Sequence, residues 1–168
     1  PDEDFTEANQ IDLEGELRRD SFFQSGQEYA ISDNSTLTIP SGRTLIIEPG
    51  ARVRFGKNSK LVIEGKLLAC GQSNRRILLT ADTDSGIPGY WEGIEFRGSD
   101  SESILGYVTI EFAGGNKHAP IWVENLDIKL QEIRINSSSW YGLSFNPDSS
   151  PQVRGEVEIE NGPSGWEI

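Results

Sequence analysis

The sequence predicts an all-β chain wound as a right-handed, three-sided parallel β-helix of about five to six coils, with an N-terminal cap. Three observations carry this reading. In "LTIPSGRTLIIEPGARVRF", residues 37–55, three short apolar-x-apolar strands start at Leu37, Leu45 and Val53, eight residues apart. Gly, Pro, Asn and Ser separate the strands, and no window shows the i, i+3, i+4, i+7 spacing of a helix. After three strands, or 24 residues, the pattern returns, so that Leu37 falls over Leu61, Leu45 over Ala69 and Val53 over Ile77.

Residues 1–30 come first and lack the eight-residue rhythm. Their stretch "IDLEGELRRDSFFQSGQEYAI" carries Ile11, Leu13, Leu17, Phe22, Phe23, Tyr29 and Ile31. It reads as a cap folded partly over the second face, because an open parallel edge recruits other chains. Residues 31–168 then form the β-helix, with first-face strands near 37, 61, 94, 121, 143 and 166. Third-face strands fall near 53, 77, 108, 133 and 157. The segment "ADTDSGIPGYW" adds length between a third and a first face, and reads as a loop projecting from a corner, since lengthening a strand would break its register. The chain closes on "GWEI", which matches a first-face strand and leaves backbone groups unpaired. Either the sequence is part of a longer protein, or this last coil is a surface for self-association.

Alternation along each strand separates core from surface. Leu37, Ile39, Leu45, Ile47, Val53, Phe55, Leu61 and Ile63 point inward, and the series continues through Ile94, Phe96, Val108, Ile110, Phe112, Ile121, Val123, Ile133, Ile135, Leu143, Phe145, Val157 and Ile159. Outward on the second face stand Ile46 and Leu68, with Leu105 above them. Apolar groups placed outward want a cover, either the N-terminal segment or a partner protein. Outward on the third face, Arg134 beside Glu158 is expected to form an exposed ion pair.

The composition narrows the function. With 168 residues, 35% of them apolar, one domain with a real core is expected, because a chain of this length buries roughly 70% of its unfolded surface. A net charge of −12 argues against nucleic acid and against an anionic membrane surface as partners. No run reaches the length of a membrane span, and "PDEDFTEANQ" lacks the features of a signal peptide, so an exported protein would be represented by its mature chain. Cys70 is the single cysteine and reads as a small side chain on a strand.

The runs "LTIPSGRTLIIEPGARVRFGKNSKLVIEGKLLACG", "RRILLTAD", "WEGIEFRG" and "ILGYVTIEFAGG" resemble the right-handed β-helix repeats of secreted bacterial surface proteins in the pectin-lyase-like superfamily. The resemblance covers residues 29–168 and is specific for fold rather than function, since that superfamily includes lyases, hydrolases, adhesins and proteins without known activity. Its enzymes imply clustered outward carboxylates, often with Ca²⁺ and a basic residue. The outward acids here include Glu95, Glu111, Glu158, Glu160 and Glu167, divided between two faces and without an Asp-Asp pair. No catalytic residue is assigned.

Trp122, in "PIWVEN", should point outward between Ile121 and Val123. It either stacks on a sugar ring or anchors a protein interface, or it packs beneath the loop of residues 81–90. Trp122, Glu95 and Glu111 are the candidate binding residues. Trp91, Trp140 and Trp166 are expected at corners or the core edge, and His118, the only histidine, at a surface corner. No cofactor is expected. The weak metal candidates are Asp82 and Asp84, which offer oxygen ligands to Ca²⁺ at i and i+2 without the further ligands of an EF-hand loop.

The expected function is a non-catalytic, exported bacterial β-helix module at the cell surface or outside the cell. It would serve as a rigid adhesion scaffold whose partner is a carbohydrate or a protein. The alternative is a polysaccharide lyase or glycoside hydrolase of the pectin-lyase-like type.

Overall fold

The structure is a computed structural model that describes residues 12–98, 102–124, 127–160 and 166–167. It is a parallel β-solenoid of about six turns, half of it strand and almost none helix. A strand β1 (Asp12–Leu13) precedes the first coil, β2 (Gly15–Glu16), β3 (Ser21–Phe23) and β4 (Glu28–Ile31). The second coil is β5 (Thr36–Ile39), β6 (Thr44–Ile47) and β7 (Arg52–Phe55). The third is β8 (Lys60–Ile63), β9 (Lys66–Cys70) and β10 (Ile77–Ala81), and the fourth β11 (Gly93–Phe96), β12 (Ile104–Gly106) and β13 (Val108–Glu111). Then come β14 (Ile121–Val123) with β15 (Lys129–Asn136), β16 (Leu143–Phe145) with β17 (Gln152–Glu160), and β18 (Trp166–Glu167).

Every strand pairs in parallel with its equivalent one coil away, which is why corners suffice where open parallel sheets need helices. The first face is a separate sheet in the order β18-β16-β14-β11-β8-β5-β2. The second and third faces join into one sheet, because β15 is long enough to pair with both β12 and β13. Between those faces the chain turns at single residues with positive φ, Tyr107 at 49°, Glu132 at 51° and Gly155 at 70°. At the opposite corner Asn34 and Asn58 repeat one coil apart, both near φ 57°, and the Asn58 amide donates to the Asn34 side-chain oxygen at 3.1 Å.

First-face registry follows the sequence reading: Leu37 pairs with Leu61, Leu61 with Ile94, Ile94 with Ile121 and Ile121 with Leu143. The other two faces slip. Leu45 lies over Leu67 rather than Ala69, and Val53 over Leu79 rather than Ile77. The cause is corner length. Only Glu64 and Gly65 join β8 to β9, where four residues, 40–43, join β5 to β6. The tight corner presses Gly65 onto the previous coil, so that a Cβ there would lie 2.3 Å from the Arg43 carbonyl oxygen. The residues are regained in the turn before β10. Both slips are even, so side chains predicted to point inward still do. On the second face Leu67 continues the core from Leu45, and Leu105 and Leu130 continue it from Ala69, all of them buried.

Three expectations need correction. The described part of the predicted cap, residues 12–30, is a coil of the solenoid, with Gly15 on Leu37, Phe22 on Ile46 and Glu28 on Arg52. Its own spacing hid the rhythm, because its first-face strand, Gly15–Glu16, has no apolar residue to mark it; residues 1–11 lie outside the described residues. Leu105 is interior, and the outward neighbour of Leu68 is Ile104, which continues the line from Ile46. Phe112 is only partly buried, because its φ of 62° turns it out of the strand, against Gly86 of the projecting loop. The ion pair of Arg134 with Glu158 is present at 3.4 Å.

Leu67 and Leu68 test the facing directly. Truncating Leu67 to Ala is expected to cost about 2–5 kcal/mol in chemical denaturation, as for other fully buried leucines. Leu68→Ala, on the outer side of the same strand, should cost less than about 1 kcal/mol.

Candidate functional site

On the first face the outward positions of successive coils form the column Thr38, Val62, Glu95, Trp122 and Ser144. Glu95 therefore stands between an apolar neighbour and an aromatic one, and it is buried, with 7% of its side chain exposed. A carboxylate there needs cations and donors. Three supply them. Lys60, paired in register with Gly93, brings its Nζ to 3.5 Å from Glu95 Oε2 and 3.7 Å from Glu92 Oε2. Arg97, two residues along the chain, donates its Nε–H to Glu95 Oε1. His118 sets Nε2 3.4 Å from Oε2, at ion-pair distance but without hydrogen-bond alignment.

Burial pushes the Glu95 carboxyl up, but the contacts with His118 and Arg97 and the charge of Lys60 outweigh it and hold it at about 2. The group is ionised throughout the physiological range.

His118 arrives from the corner "GGNKHAP", roughly one coil after Glu95. A short 3-10 turn, Gly115–Lys117, leads into it, and the Asn116 amide donates to Glu92 Oε1 at 2.7 Å. This corner lies directly on Gly93: a Cβ at that position would be 2.7 Å from the Ala119 carbonyl oxygen and 2.8 Å from Pro120 Cα. Glycine at 93 is what lets the corner close over Glu95. The His118 ring is nearly buried and packs on Trp122, with ring centroids 4.8 Å apart and an interplanar angle of 44°.

Trp122 is half-buried and forms part of a surface concavity of about 330 Å³. Lys117, Glu124, Ser144, Phe145, Asn146 and Pro147 line the rest. None of the loop at 81–90 lines it, so Trp122 faces a groove and not the underside of that loop.

The sequence-predicted residues thus divide. Glu95 and Trp122 are adjacent across β11 and β14. Glu111 is not with them: it sits on the third face, where Thr80 donates to its carboxylate at 3.0 Å and its backbone oxygen accepts the Trp91 indole N–H at 2.8 Å. Trp91 is wholly interior and stacked on Phe55 at 3.8 Å, whereas Trp140 is half-buried beside Tyr141. The side chain of Trp166 lies outside the described residues, as does that of Glu167. Asp82 and Asp84 lie 3.4 and 3.5 Å from Arg54, which also meets Glu28 at 3.2 Å. Ile46 and Leu68 stack outward on the second face, away from this groove.

His118 is the residue that the sequence reading misplaced. It is a corner residue, as expected, but it points back into the first face. The signal available was positional: one coil separates Glu95 from Trp122, so the corner before Trp122 must pass over the strand carrying Glu95. Among the described residues, no three His, Cys, Asp or Glu side chains converge as a metal-binding group, and no helix is long and apolar enough to cross a membrane.

Comparison with protein-family models, with curated proteins and with solved structures found no significant match. Of what the resemblance to pectin-lyase-like repeats implies, the structure shows the parallel β-solenoid.

The depressed value of Glu95 makes a prediction about acid stability. Its contribution, on the order of 3 kcal/mol, is fully present above about 4.5 and is lost as pH falls through about 2. In denaturation experiments Glu95→Gln should be less stable than the parent at neutral pH, and the difference should shrink steadily between those two values. A difference that stays constant down to the lower value would show that Glu95 is not held ionised by its neighbours.

Proposed function

We propose that the chain is a non-catalytic, rigid scaffold of an exported β-helix protein, and that its first face holds a saccharide in the groove at Trp122. The observation that carries this reading is the groove itself. A half-exposed indole lies beside Lys117, Glu124, Ser144 and Asn146, which pairs an apolar stacking surface with donors and acceptors of both kinds. At about 330 Å³ the space falls at the small end of ligand pockets, a scale that favours one or two sugar rings over a protein partner, whose contact spreads across about 800 Å² per side.

The enzyme reading draws on the meeting of Glu92 and Glu95 at Lys60, a carboxylate pair with a base close to the groove. We rank it second because Glu95 is buried and already engaged by Lys60, Arg97 and His118, and because a glycosidase of the usual kind needs one carboxyl raised to act as an acid. Turnover of uronic-acid polymers in the presence of Ca²⁺ would reverse that ranking.

The binding reading is tested with an oligosaccharide panel spanning neutral glucans, xylans and uronic-acid polymers, followed by titration of the best binder. Trp122→Ala should weaken binding at least about tenfold while leaving the β-rich circular dichroism spectrum unchanged. Absence of binding across the panel, or equal binding by the variant, would sink the proposal.

A further inference from the structure

His118 is nine-tenths buried, and its two ring nitrogens have different fates. Nδ1 lies 2.6 Å from the Ala119 carbonyl oxygen. A carbonyl only accepts, so Nδ1 carries a proton. Nε2 then faces the ionised Glu95 carboxylate at 3.4 Å with no hydrogen bond of its own. In the neutral ring that nitrogen presents a lone pair to an anion. With a second proton it presents an N–H and a positive charge. The neighbours are Lys60 from β8, Glu92, Glu95 and Arg97 on and beside β11, Lys117 on its own corner, and Glu124 following β14. Of these, Glu95 is the group in contact with Nε2.

We propose that His118 is a positioning residue for Trp122, and that a proton on its Nε2 sets how firmly the indole is held in the groove. Doubly protonated, the ring is fixed at one end by the Ala119 carbonyl and at the other by Glu95, and its cationic face lies 4.8 Å from the Trp122 centroid, within range of a cation–π attraction. Loss of the proton removes both the donor to Glu95 and that attraction. The indole is then held less firmly, and the stacking surface of the groove is less fully preformed.

The role of the groove as a saccharide site is the reading that gives this device a purpose, but the experiment stands without any ligand. His118 is the only histidine in the chain, so its ring nitrogens give a single set of signals in two-dimensional ¹H–¹⁵N NMR. The Trp122 indole N–H is identified by its loss in Trp122→Phe. From about pH 5 to pH 8 the Trp122 signal should move with the same midpoint as the His118 nitrogens, and the ring-to-ring NOE should weaken above that midpoint. The held arrangement should be about two- to fivefold more populated on the acid side. In His118→Gln the Trp122 signal should stay fixed across the range. A Trp122 signal that ignores the His118 transition, a proton found on Nε2 with Nδ1 bare, or pH dependence that survives in His118→Gln would each overturn the proposal. If His118→Gln fails to fold, the ring-to-ring NOE in the parent chain still decides, because the charge alone would move the Trp122 signal but not that distance. If co-titration is seen and no saccharide binds at either end of the range, the latch stands and the saccharide reading falls.

Discussion

Backbone hydrogen bonds between equivalent strands one coil apart are the constraint on which the rest of this structure depends. They fix the neighbour of every side chain, above and below, before any side-chain chemistry is considered. Inside the coil this stacks apolar on apolar, so Leu37, Leu61, Ile94, Ile121 and Leu143 form one unbroken column. Outside, the same rule forces unlike groups together. Val62, Glu95 and Trp122 are neighbours because the ladder places them so, not because they attract one another.

That enforced proximity explains the charge cluster. A carboxylate seated between Val62 and Trp122 loses much of its water, and such a group persists only if cations replace the water. Lys60 and Arg97 come from the same face, and His118 from the corner above. The third face solves a similar problem more loosely: Arg54 gathers Glu28, Asp82 and Asp84, whose carboxylates reach solvent, where ion pairs contribute little. On the first face those contacts hold the Glu95 carboxyl low against the opposing effect of its burial.

Much of the fold was legible because its two periods survive local irregularity. The side-chain period of two is untouched by corners that change by even numbers, so Leu45 and Val53 were correctly read as interior although both were paired two residues away from their true partners. Corner lengths were not legible. Whether Gly65 closes a two-residue or a four-residue turn depends on contacts with the carbonyls of Pro40 and Arg43, which no local pattern reveals. The first coil was missed for a related reason: Gly15, Glu16 and Ser21 pair in the ladder without the apolar residues that mark the later strands. The site was half legible. Glu95 and Trp122 follow from alternation on a known column, whereas Glu111 was joined to them only by its character as an outward acid, and His118 enters from a corner, where alternation has no meaning.

A solenoid of this kind divides its labour by position. Strand interiors are bound by register to the coils on either side, so a residue there affects neighbours that must match it. Corners answer to fewer neighbours, and they vary in length along this chain. The first face follows that division: the column supplies a fixed platform in Glu95 and Trp122, and the corner "GGNKHAP" supplies His118 and one wall of the groove. Gly93 links the two, since the absence of a side chain at that strand position lets the corner descend onto the platform. A strand residue has thus been given up to the needs of a corner, and in a fold built from repetition that exchange marks where one coil departs from its neighbours.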